Sequence, residues 1–312
     1  METAVGSNLS AGDVKRLAQE CGFELAGVAR AEPLAEAGFY LQWVSAGLGG
    51  EMAYLGGRRA TLRQDPRSLV DWVRSIICVG KLYNGPSGPI SRYACGPDYH
   101  AIVGEGLREL AARLGERAGP FQWRISVDTA PLLERAYARR AGLGWIGKNT
   151  CLIDQRQGSF FFLGELLASL DLEPDAPVPD RCGKCRRCID ACPTKAIIPT
   201  GQTQPAWMLD SRRCLSYLTI ELRGAIPTEF HTALAGHVFG CDICQEVCPW
   251  NRKNPPSGGP AATLEELASL TEAEFRERFR GTAVLRARYE GFRRNLALGR
   301  DQRRGLGRGK LG

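Results

Sequence analysis

The sequence has little histidine and lysine, and it has no long apolar run. The three histidines are isolated, so a mononuclear zinc or non-haem iron site is not expected, and His100 is interpreted as a neighbour of a helix-starting Asp98. The apolar stretch 160–170 falls short of the roughly 18 residues of a membrane span and is interrupted by Glu165. The N-terminus lacks the features of a secretory signal. These absences predict a cytoplasmic protein that does not enter a membrane.

Cysteine and arginine, by contrast, are abundant. Without an export signal, the twelve cysteines favour reduced thiols or metal ligands over a disulfide framework, which belongs to short secreted domains. There are 34 arginines against seven lysines. Residues 276–312 hold twelve basic and three acidic side chains, a net charge of +9, which leaves about −2 for residues 1–275. Such a cluster suits a polyanion such as nucleic acid, or is simply a solvated helix and tail.

Hydrophobic periodicity predicts helices alternating with buried strands over residues 1–172. This alternation indicates an α/β or α+β domain. A serine at position 10 is suited to cap the first helix. Helices are predicted at 10–20, 34–46, 98–117 and 132–141, and strands at 23–28, 75–82 and 123–127, with 150–153 and 159–170 forming a β pair.

Two proline-rich segments, which interrupt regular secondary structure, divide the rest of the chain. Residues 171–180 read DLEPDAPVPD and residues 255–260 read PPSGGP, compositions that suit extended linkers. They predict domains at 1–172, 173–254 and 255–312. In the last, a single amphipathic helix is expected through Leu264, Leu267, Leu270, Phe275 and Phe279, before the arginine-rich stretch.

The strongest motif is the cysteine run that follows the first linker. Its spacing, C-x2-C-x2-C-x3-C-P, is that of two-cluster ferredoxins, in which the fourth cysteine ligates the other cluster. A shorter run ends at Pro249, and a single cysteine stands between the two. Two four-thiolate zinc sites are the alternative, but the proline-terminated spacing favours iron and sulfur. The pseudo-symmetric assignment gives one [4Fe–4S] cluster Cys182, Cys185, Cys188 and Cys248, and the other Cys192, Cys214, Cys241 and Cys244.

Clusters that carry electrons need an acceptor, which requires a site in the domain that precedes them. The most distinctive stretch of that domain is residues 126–153. Asp128 falls at the end of a predicted strand, where open α/β sheets present catalytic side chains. The glycines of GLGWIGKNT, which precede Cys151, would let the backbone approach a large ligand. Alternatively, Asp128 caps a helix that opens at Pro131. The spacing excludes a P-loop and argues against a Rossmann dinucleotide site.

Five stretches together resemble the epoxyqueuosine reductase family and, more distantly, the reductive dehalogenases. The resemblance covers most of residues 1–300. The stretches are RYACGPDYH (92–100), DTAPLLERAYARRAGLGWIGKNT (128–150), CGKCRRCIDACPTKAI (182–197), CLSYLTIELRGAIP (214–227) and GCDICQEVCPWN (240–251).

The resemblance implies an α+β protein with a nitroreductase-like cobalamin-binding domain, a dicluster ferredoxin-like domain and a short helical C-terminal segment. It implies an oxidoreductase that reduces epoxyqueuosine to queuosine at the wobble position of tRNA anticodons. Electrons would pass through two [4Fe–4S] clusters to base-off cobalamin, with Asp128 as the proton donor. The other cobalamin contacts that it suggests are Arg59, Tyr93, Asp98, Cys151 and Ser216.

The implied partners are a tRNA anticodon stem-loop and an external low-potential electron donor. The protein itself is expected to be a monomer. Long members of the family end in HEAT-like repeats, whereas LRARYEGFRRNLALG (285–299) resembles only the start of one. Two other functions stay open, a cobalamin-dependent reductive dehalogenase-like reductase and a ferredoxin-type electron carrier. Phosphate contacts are expected from the C-terminal segment and its surroundings, at Arg223, Arg286, Arg293 and Arg294.

Overall fold

The structure, a computed structural model, describes residues 9–202, 205–234 and 236–308, with side chains as far as residue 300. The chain divides into two compact units. None of the helices in these ranges combines the length and the apolar character that crossing a membrane requires. The first unit contains residues 1–47, 53–82 and 99–184, and the second contains 48–52, 83–98 and 185–312.

Helices and strands alternate in the first unit, as the periodicity predicts. Ser10 caps the first helix by accepting the backbone N–H of Asp13 at 3.1 Å, while the Asp13 carboxylate accepts the N–H of Ser10. In chain order the elements are α1 (Ala11–Glu20), β1 (Leu25–Arg30), α2 (Glu36–Ser45), α3 (Gly57–Leu62), β2 (Ser75–Leu82), α4 (Tyr99–Ala118), β3 (Trp123–Ser126), α5 (Glu134–Arg140), β4 (Trp145–Ile146), β5 (Leu152–Ile153) and β6 (Phe161–Ala168), with 3-10 turns at Ala53–Leu55 and Pro66–Ser68.

Four of these strands form an antiparallel sheet in the order β1-β2-β6-β3. Alternate residues of β2 enter different cores: Ile77 and Val79 pack with α1 and α4, whereas Ile76 and Cys78 pack with α5. All four are 0% exposed. Helices therefore cover both faces of the sheet, which is why β2 is a continuous apolar run rather than an alternating one.

The predicted pairing of 150–153 with 159–170 is wrong. Strand β5 pairs with β4, opposing Leu152 to Ile146, while β6 joins the central sheet. Gly144 makes this small pair possible, because a Cβ at that position would lie 2.2 Å from the carbonyl oxygen of Ile153. A two-residue strand next to a glycine carries no periodic signal in the sequence.

The second unit consists of several short helices, one small β pair and one 21-residue helix near the end of the chain. Its 3-10 turns lie at Arg92–Ala94, Ser211–Arg213, Thr228–Phe230, Pro249–Asn251 and Ala283–Ala287. The helices and strands are α6 (Arg187–Ala191), β7 (Ile197–Pro199), β8 (Trp207–Leu209), α7 (Leu215–Ile220), α8 (His231–Leu234), α9 (Ile243–Glu246), α10 (Leu264–Ala268), α11 (Glu272–Arg278) and α12 (Arg288–Arg308).

The single amphipathic helix predicted for this unit is in fact two helices, α10 and α11. Thr263 and Thr271 each cap one of them, accepting the N–H of Glu266 at 3.1 Å and of Glu274 at 3.3 Å. The second capping box starts a new helix in the middle of the apolar pattern, so the chain turns there. The spacing of apolar residues alone does not reveal this break.

Helix α12 completes the core of the second unit. Phe292 is 0% exposed and Leu296 is 2% exposed. The buried Asn295 donates from Nδ2 to the carbonyls of Thr219 and Val238, both at 2.8 Å. The arginine-rich segment therefore includes a helix that the unit needs for its core, and a deletion from residue 286 onward would expose that core to water.

Candidate functional site

Asp128 lies in the loop between β3 and α5 of the first unit. It has a left-handed φ of 56°, and its side chain is 52% exposed. Helix α5 begins at Glu134, and its N-cap, Leu133, makes no side-chain capping bond. The helix-capping alternative for Asp128 is therefore wrong, and the carboxylate is directed to the surface.

Two side chains brace this loop. The backbone N–H of Asp128 donates to Oε1 of Glu134 at 2.6 Å. From α3, Nη2 of Arg59 donates to the carbonyl of Thr129. A left-handed conformation costs a non-glycine residue about 1–3 kcal/mol, so such contacts are needed to maintain it. Arg59 and Asp128, both expected near cobalamin, are thus brought to the same loop.

His100 lies beside the Asp128 carboxylate. Its Nε2 lies 3.6 Å from Oδ2 of Asp128. The ring of Tyr99 stacks on His100 at 4.2 Å and on Phe162 at 4.4 Å, which fixes the first turn of α4. The sequence reasoning missed His100, because the residue that it contacts is distant along the chain.

Two further carboxyl groups lie behind Asp128. Glu165 of β6 is 0% exposed and stands in register with Ser126 on one neighbouring strand and with Cys78 on the other. It adjoins Glu134 at the start of α5. Burial, followed by the charge of Asp128, raises the pKa of Glu134 to about 7. Burial, together with the neighbouring Glu134, raises the pKa of Glu165 well above its ordinary range.

Three of the thiols assigned to one cluster converge in the second unit. Strands β7 and β8 are antiparallel, so Cys192 before them and Cys214 after them come to the same end. The backbone N–H of Asp210 extends this pairing by donating to Ala196 at 2.8 Å. Ala196 itself donates to the sulfur of Cys192 at 3.3 Å. Cys241 is close enough to interact electrostatically with both other thiols.

Backbone N–H groups are directed at these sulfurs. Cys214 is the N-cap of α7, and its sulfur accepts the N–H groups of Ser216 and Tyr217 as well as the Ser216 hydroxyl. The sulfur of Cys241 accepts the N–H of Ile243. Burial raises the pKa of Cys214, and that of Cys241 to about 12. These thiols therefore need a metal to become thiolates, and the donors are suited to stabilise the charge that follows.

The other thiol set is carried by α6, α9 and the loops beside them. Cys188 lies in α6 and Cys248 follows α9, and these two helices pack together. Within the first unit, the sulfur of Cys182 accepts the backbone N–H of Lys148. In the described residues, no three His, Cys, Asp or Glu side chains group tightly enough to hold a single metal ion. In a cubane, the thiolates bind separate iron atoms.

The other residues expected around cobalamin lie in both units. Cys151 follows a tight turn in which Thr150 has a φ of 63°. Tyr93 belongs to the second unit, where its ring lies 6.1 Å from that of Phe239. Asp98 also belongs to the second unit, and so does Ser216, which contacts the Cys214 sulfur. Contacts of these residues with cobalamin stay predictions.

The arginines expected to meet nucleic acid already make contacts within the second unit. Arg286 forms an ion pair with Glu221 at 2.6 Å. Arg293 donates to the carbonyl of Ala268 at 2.8 Å, and Arg223 donates to that of Arg286 at 3.1 Å. All three arginines remain exposed, so their guanidinium groups are accessible to a phosphate.

Arg294 differs from its neighbour Arg293. Its guanidinium donates to the carbonyls of Leu218 at 2.7 Å and Leu222 at 2.9 Å, and also to that of Gly224. Burial lowers the pKa of Arg294. This side chain ties α12 to the end of α7, so its observed contacts are structural.

A chain that combines a mixed helix and sheet unit with two proline-terminated cysteine runs is typical of an oxidoreductase with two iron–sulfur clusters. Residues 181–251 match the family described as "4Fe-4S double cluster binding domain", and residues 63–129 match "Epoxyqueuosine reductase QueG, DUF1730". The epoxyqueuosine reductase of Xanthomonas campestris pv. campestris is 40% identical over 312 residues, an alignment that covers 93% of this chain and 86% of the relative. The chain belongs to the epoxyqueuosine reductase family.

Solved structures agree with this assignment. The epoxyqueuosine reductase of Streptococcus thermophilus is 30% identical with a TM-score of 0.82, covering 92% of this chain and 80% of that one. Another epoxyqueuosine reductase, crystallised with an epoxyqueuosine-modified tRNA-Tyr stem loop, is 28% identical with a TM-score of 0.80, covering 93% of this chain and 80% of that one. The predicted fold class, family and pair of [4Fe–4S] clusters are confirmed, and the chain is an oxidoreductase that reduces epoxyqueuosine to queuosine in tRNA.

Proposed function

We propose that this chain reduces epoxyqueuosine by passing electrons from its two clusters to a cobalamin at the Asp128 loop, with Asp128 as the proton donor. The supporting observation is the half-exposed Asp128 carboxylate, held in a left-handed loop by Glu134 and Arg59. Such bracing is typical of a side chain that must keep one position during a reaction.

The residues at this loop fit a large polar ligand. The Nε of Arg59 is buried and has no hydrogen-bond partner among the described groups, and Asp128 is exposed beside it. When bound, base-off cobalamin supplies a low-valent, strongly nucleophilic cobalt centre. The contacts that the family resemblance suggests for it are Arg59, Tyr93, Asp98, Asp128, Cys151 and Ser216.

The task of the protein side chains is to manage protons. Removing the epoxide oxygen as water consumes two electrons and two protons. Asp128 would donate a proton to the departing oxygen, while His100, at 3.6 Å, would orient its carboxyl group. A positioned general acid contributes about 10²–10⁴-fold to a rate.

We also propose that the protein is a cytoplasmic monomer. Its substrate would be an anticodon stem-loop, and its electrons would come from an external low-potential donor. A depression beside Cys248 is lined by two basic and two acidic side chains, Arg187, Arg252, Asp190 and Glu246. We propose it as the approach of the donor to the cluster assigned to Cys248.

Anaerobic purification with cobalamin, followed by incubation with reductant and an epoxyqueuosine-containing stem-loop, tests the proposed function. We expect corrin absorbance on the protein and conversion of the nucleoside to queuosine, seen as the loss of one oxygen in its mass. A parallel preparation without cobalamin should not convert it. Conversion by that preparation would contradict the proposed cofactor, and turnover of halogenated aromatics alone would favour the dehalogenase-like alternative.

Adjacent arginines on α12 should respond differently to substitution by alanine. Arg293→Ala should weaken stem-loop binding and reduce the slope of log affinity against log salt by about 1, with an unchanged melting temperature, because it removes one exposed phosphate contact. Arg294→Ala should destabilise the protein by about 1–3 kcal/mol, because it leaves buried carbonyls without their donor.

Binding isotherms across a salt series and anaerobic thermal melts distinguish the two effects. Equal salt slopes for Arg293→Ala and the wild type would exclude Arg293 as a phosphate contact. A normal melting temperature for Arg294→Ala would contradict its structural role.

A further inference from the structure

Glu165 is an ionisable group that the proposed mechanism does not use. It lies in the central sheet with 0% exposure, between Ser126 and Cys78 in the strand register. The polar side chains that it meets there are the hydroxyl of Ser126 and the carboxyl group of Glu134. An isolated carboxylate in such surroundings is strongly disfavoured, so a proton is expected to remain on the group.

Glu134 connects Glu165 to Asp128. Its Oε1 accepts the backbone N–H of Asp128 at 2.6 Å, and its carboxyl group adjoins that of Glu165. Two neighbouring carboxylates repel each other, whereas a carboxyl group that keeps its proton can donate it to the second. The geometry therefore favours one proton shared by the two side chains.

The groups around this pair act in opposite directions. Burial and the Asp128 carboxylate favour the protonated form of Glu134. The backbone N–H of Asp128, a hydrogen bond from Glu165 and the charge of Arg135 favour its ionised form, although burial outweighs them and brings the pKa of Glu134 to about 7. The charged and titratable neighbours are Asp128 from the β3–α5 loop, Cys78 from β2, Arg63 following α3, Arg135 from α5 and, beside Asp128, His100 from α4.

We propose that Glu134 and Glu165 share a proton that reloads Asp128 after Asp128 has protonated the substrate oxygen, and that Glu134 also positions Asp128. This inference rests on the proposed role of Asp128. Each turnover breaks two C–O bonds of the epoxide, forms a C=C bond and releases water, with two electrons from the clusters and two protons. Asp128 carries one proton at a time. The pair supplies the other through Asp128 and then regains a proton from solvent.

The protonation of the pair can be measured without turnover. Infrared spectra of the purified protein with its clusters, from pH 5 to 9, should contain the C=O stretch of protonated carboxyl groups. The part from Glu134 should disappear on titration near pH 7, whereas the part from the proton that Glu165 keeps should remain. Glu165→Gln should remove the part that remains above pH 7, because the group that keeps the proton is then absent. Asp175→Asn, which alters a carboxyl group elsewhere in the first unit, should retain the band. A band unchanged in both Glu165→Gln and Glu134→Gln would overturn the shared proton.

Steady-state turnover tests the reloading step. The wild-type rate should fall above pH 7 as Glu134 ionises and the pair retains only the proton on Glu165. Glu165→Gln should be about 10–100-fold slower at pH 6 and should move the pH at which the rate falls, because Glu134 loses its proton-sharing partner. A wild-type rate and pH profile in Glu165→Gln would refute reloading, even if the infrared band is lost. If the wild type itself does not convert the stem-loop, the proposed function fails, while the infrared result still decides whether the proton is shared.

The positioning role of Glu134 needs its own comparison. Glu134→Gln keeps an oxygen that can accept the Asp128 N–H, whereas Glu134→Ala does not. We expect Glu134→Gln to keep the wild-type KM for the stem-loop and lower kcat, and Glu134→Ala to change both. Identical KM and kcat for the two variants would contradict positioning through this hydrogen bond.

Discussion

Replacing Asp128 with Asn should slow the conversion of epoxyqueuosine by about 10²–10⁴-fold and leave the iron content and corrin absorbance at wild-type levels. The amide has nearly the same size, and the backbone N–H of residue 128 can still bind Glu134. It cannot deliver a proton to the departing oxygen. The measurement is a single-turnover rate with chemically reduced enzyme, so that delivery by an external donor does not limit it.

A matched control is Asp171→Asn, which changes an exposed carboxylate of the same unit that pairs with Arg30 at 3.6 Å. Its rate should equal that of the wild type. Wild-type turnover by Asp128→Asn would remove Asp128 from the role of proton donor. Loss of corrin absorbance in that variant would show that Asp128 is needed to retain the cofactor, so that the slower rate could not be assigned to proton donation.

The sequence predicts secondary structure best where the local signal is strong. Strand β2 is found at the predicted residues, 75–82, because its apolar run is continuous and the strand is covered on both faces. Helix α1 begins after Ser10 because the capping box is a local feature. Strands β4 and β5 are two residues long and exist only because they pair with each other, so no local pattern identifies them.

The parts of the site differ in predictability for the same reason. Within each cysteine run the proposed cluster ligands are separated by two or three residues, so the ferredoxin spacing is visible in the sequence. Glu165 looks in the sequence like an interruption of an apolar run. The role proposed for this carboxyl group depends on a strand register that places it near Ser126 and on a helix that places Glu134 beside it. His100 and Asp128 likewise meet only through tertiary structure.

The sequence shows where the charged residues lie along the chain, but it does not show what surrounds each of them in the fold. The basic excess at residues 276–312 is evident from composition. Only the structure shows that Arg294 is half-buried against several backbone carbonyls, whereas Arg293, which contacts the carbonyl of Ala268, stays exposed. A count of basic residues in the sequence therefore overestimates the number of side chains that are available to bind a polyanion.

Replacing Cys241 with Ala should remove one cluster and abolish turnover. Two [4Fe–4S] clusters hold about eight iron atoms, so the variant should retain about four. The side chain interacts with Cys192 and Cys214 in a buried site, where the remaining three thiols cannot complete a cubane. Iron and labile sulfide analyses under anaerobic conditions measure the loss, with Cys21→Ala as a control that changes a half-buried cysteine outside both runs and should keep all the iron.

Double variants test the interlocked assignment of the cysteines. Because Cys192 and Cys241 are assigned to the same cluster, the double Ala variant should lose no more iron than either single variant. Cys188 and Cys241 are assigned to different clusters, so their joint replacement should remove nearly all of it. Additive loss for the first pair would show that each cysteine run holds its own cluster. The fourth cysteine of the long run would then no longer connect the two sites, and the convergence of Cys192 with Cys214 beside the β7–β8 pair would need another explanation.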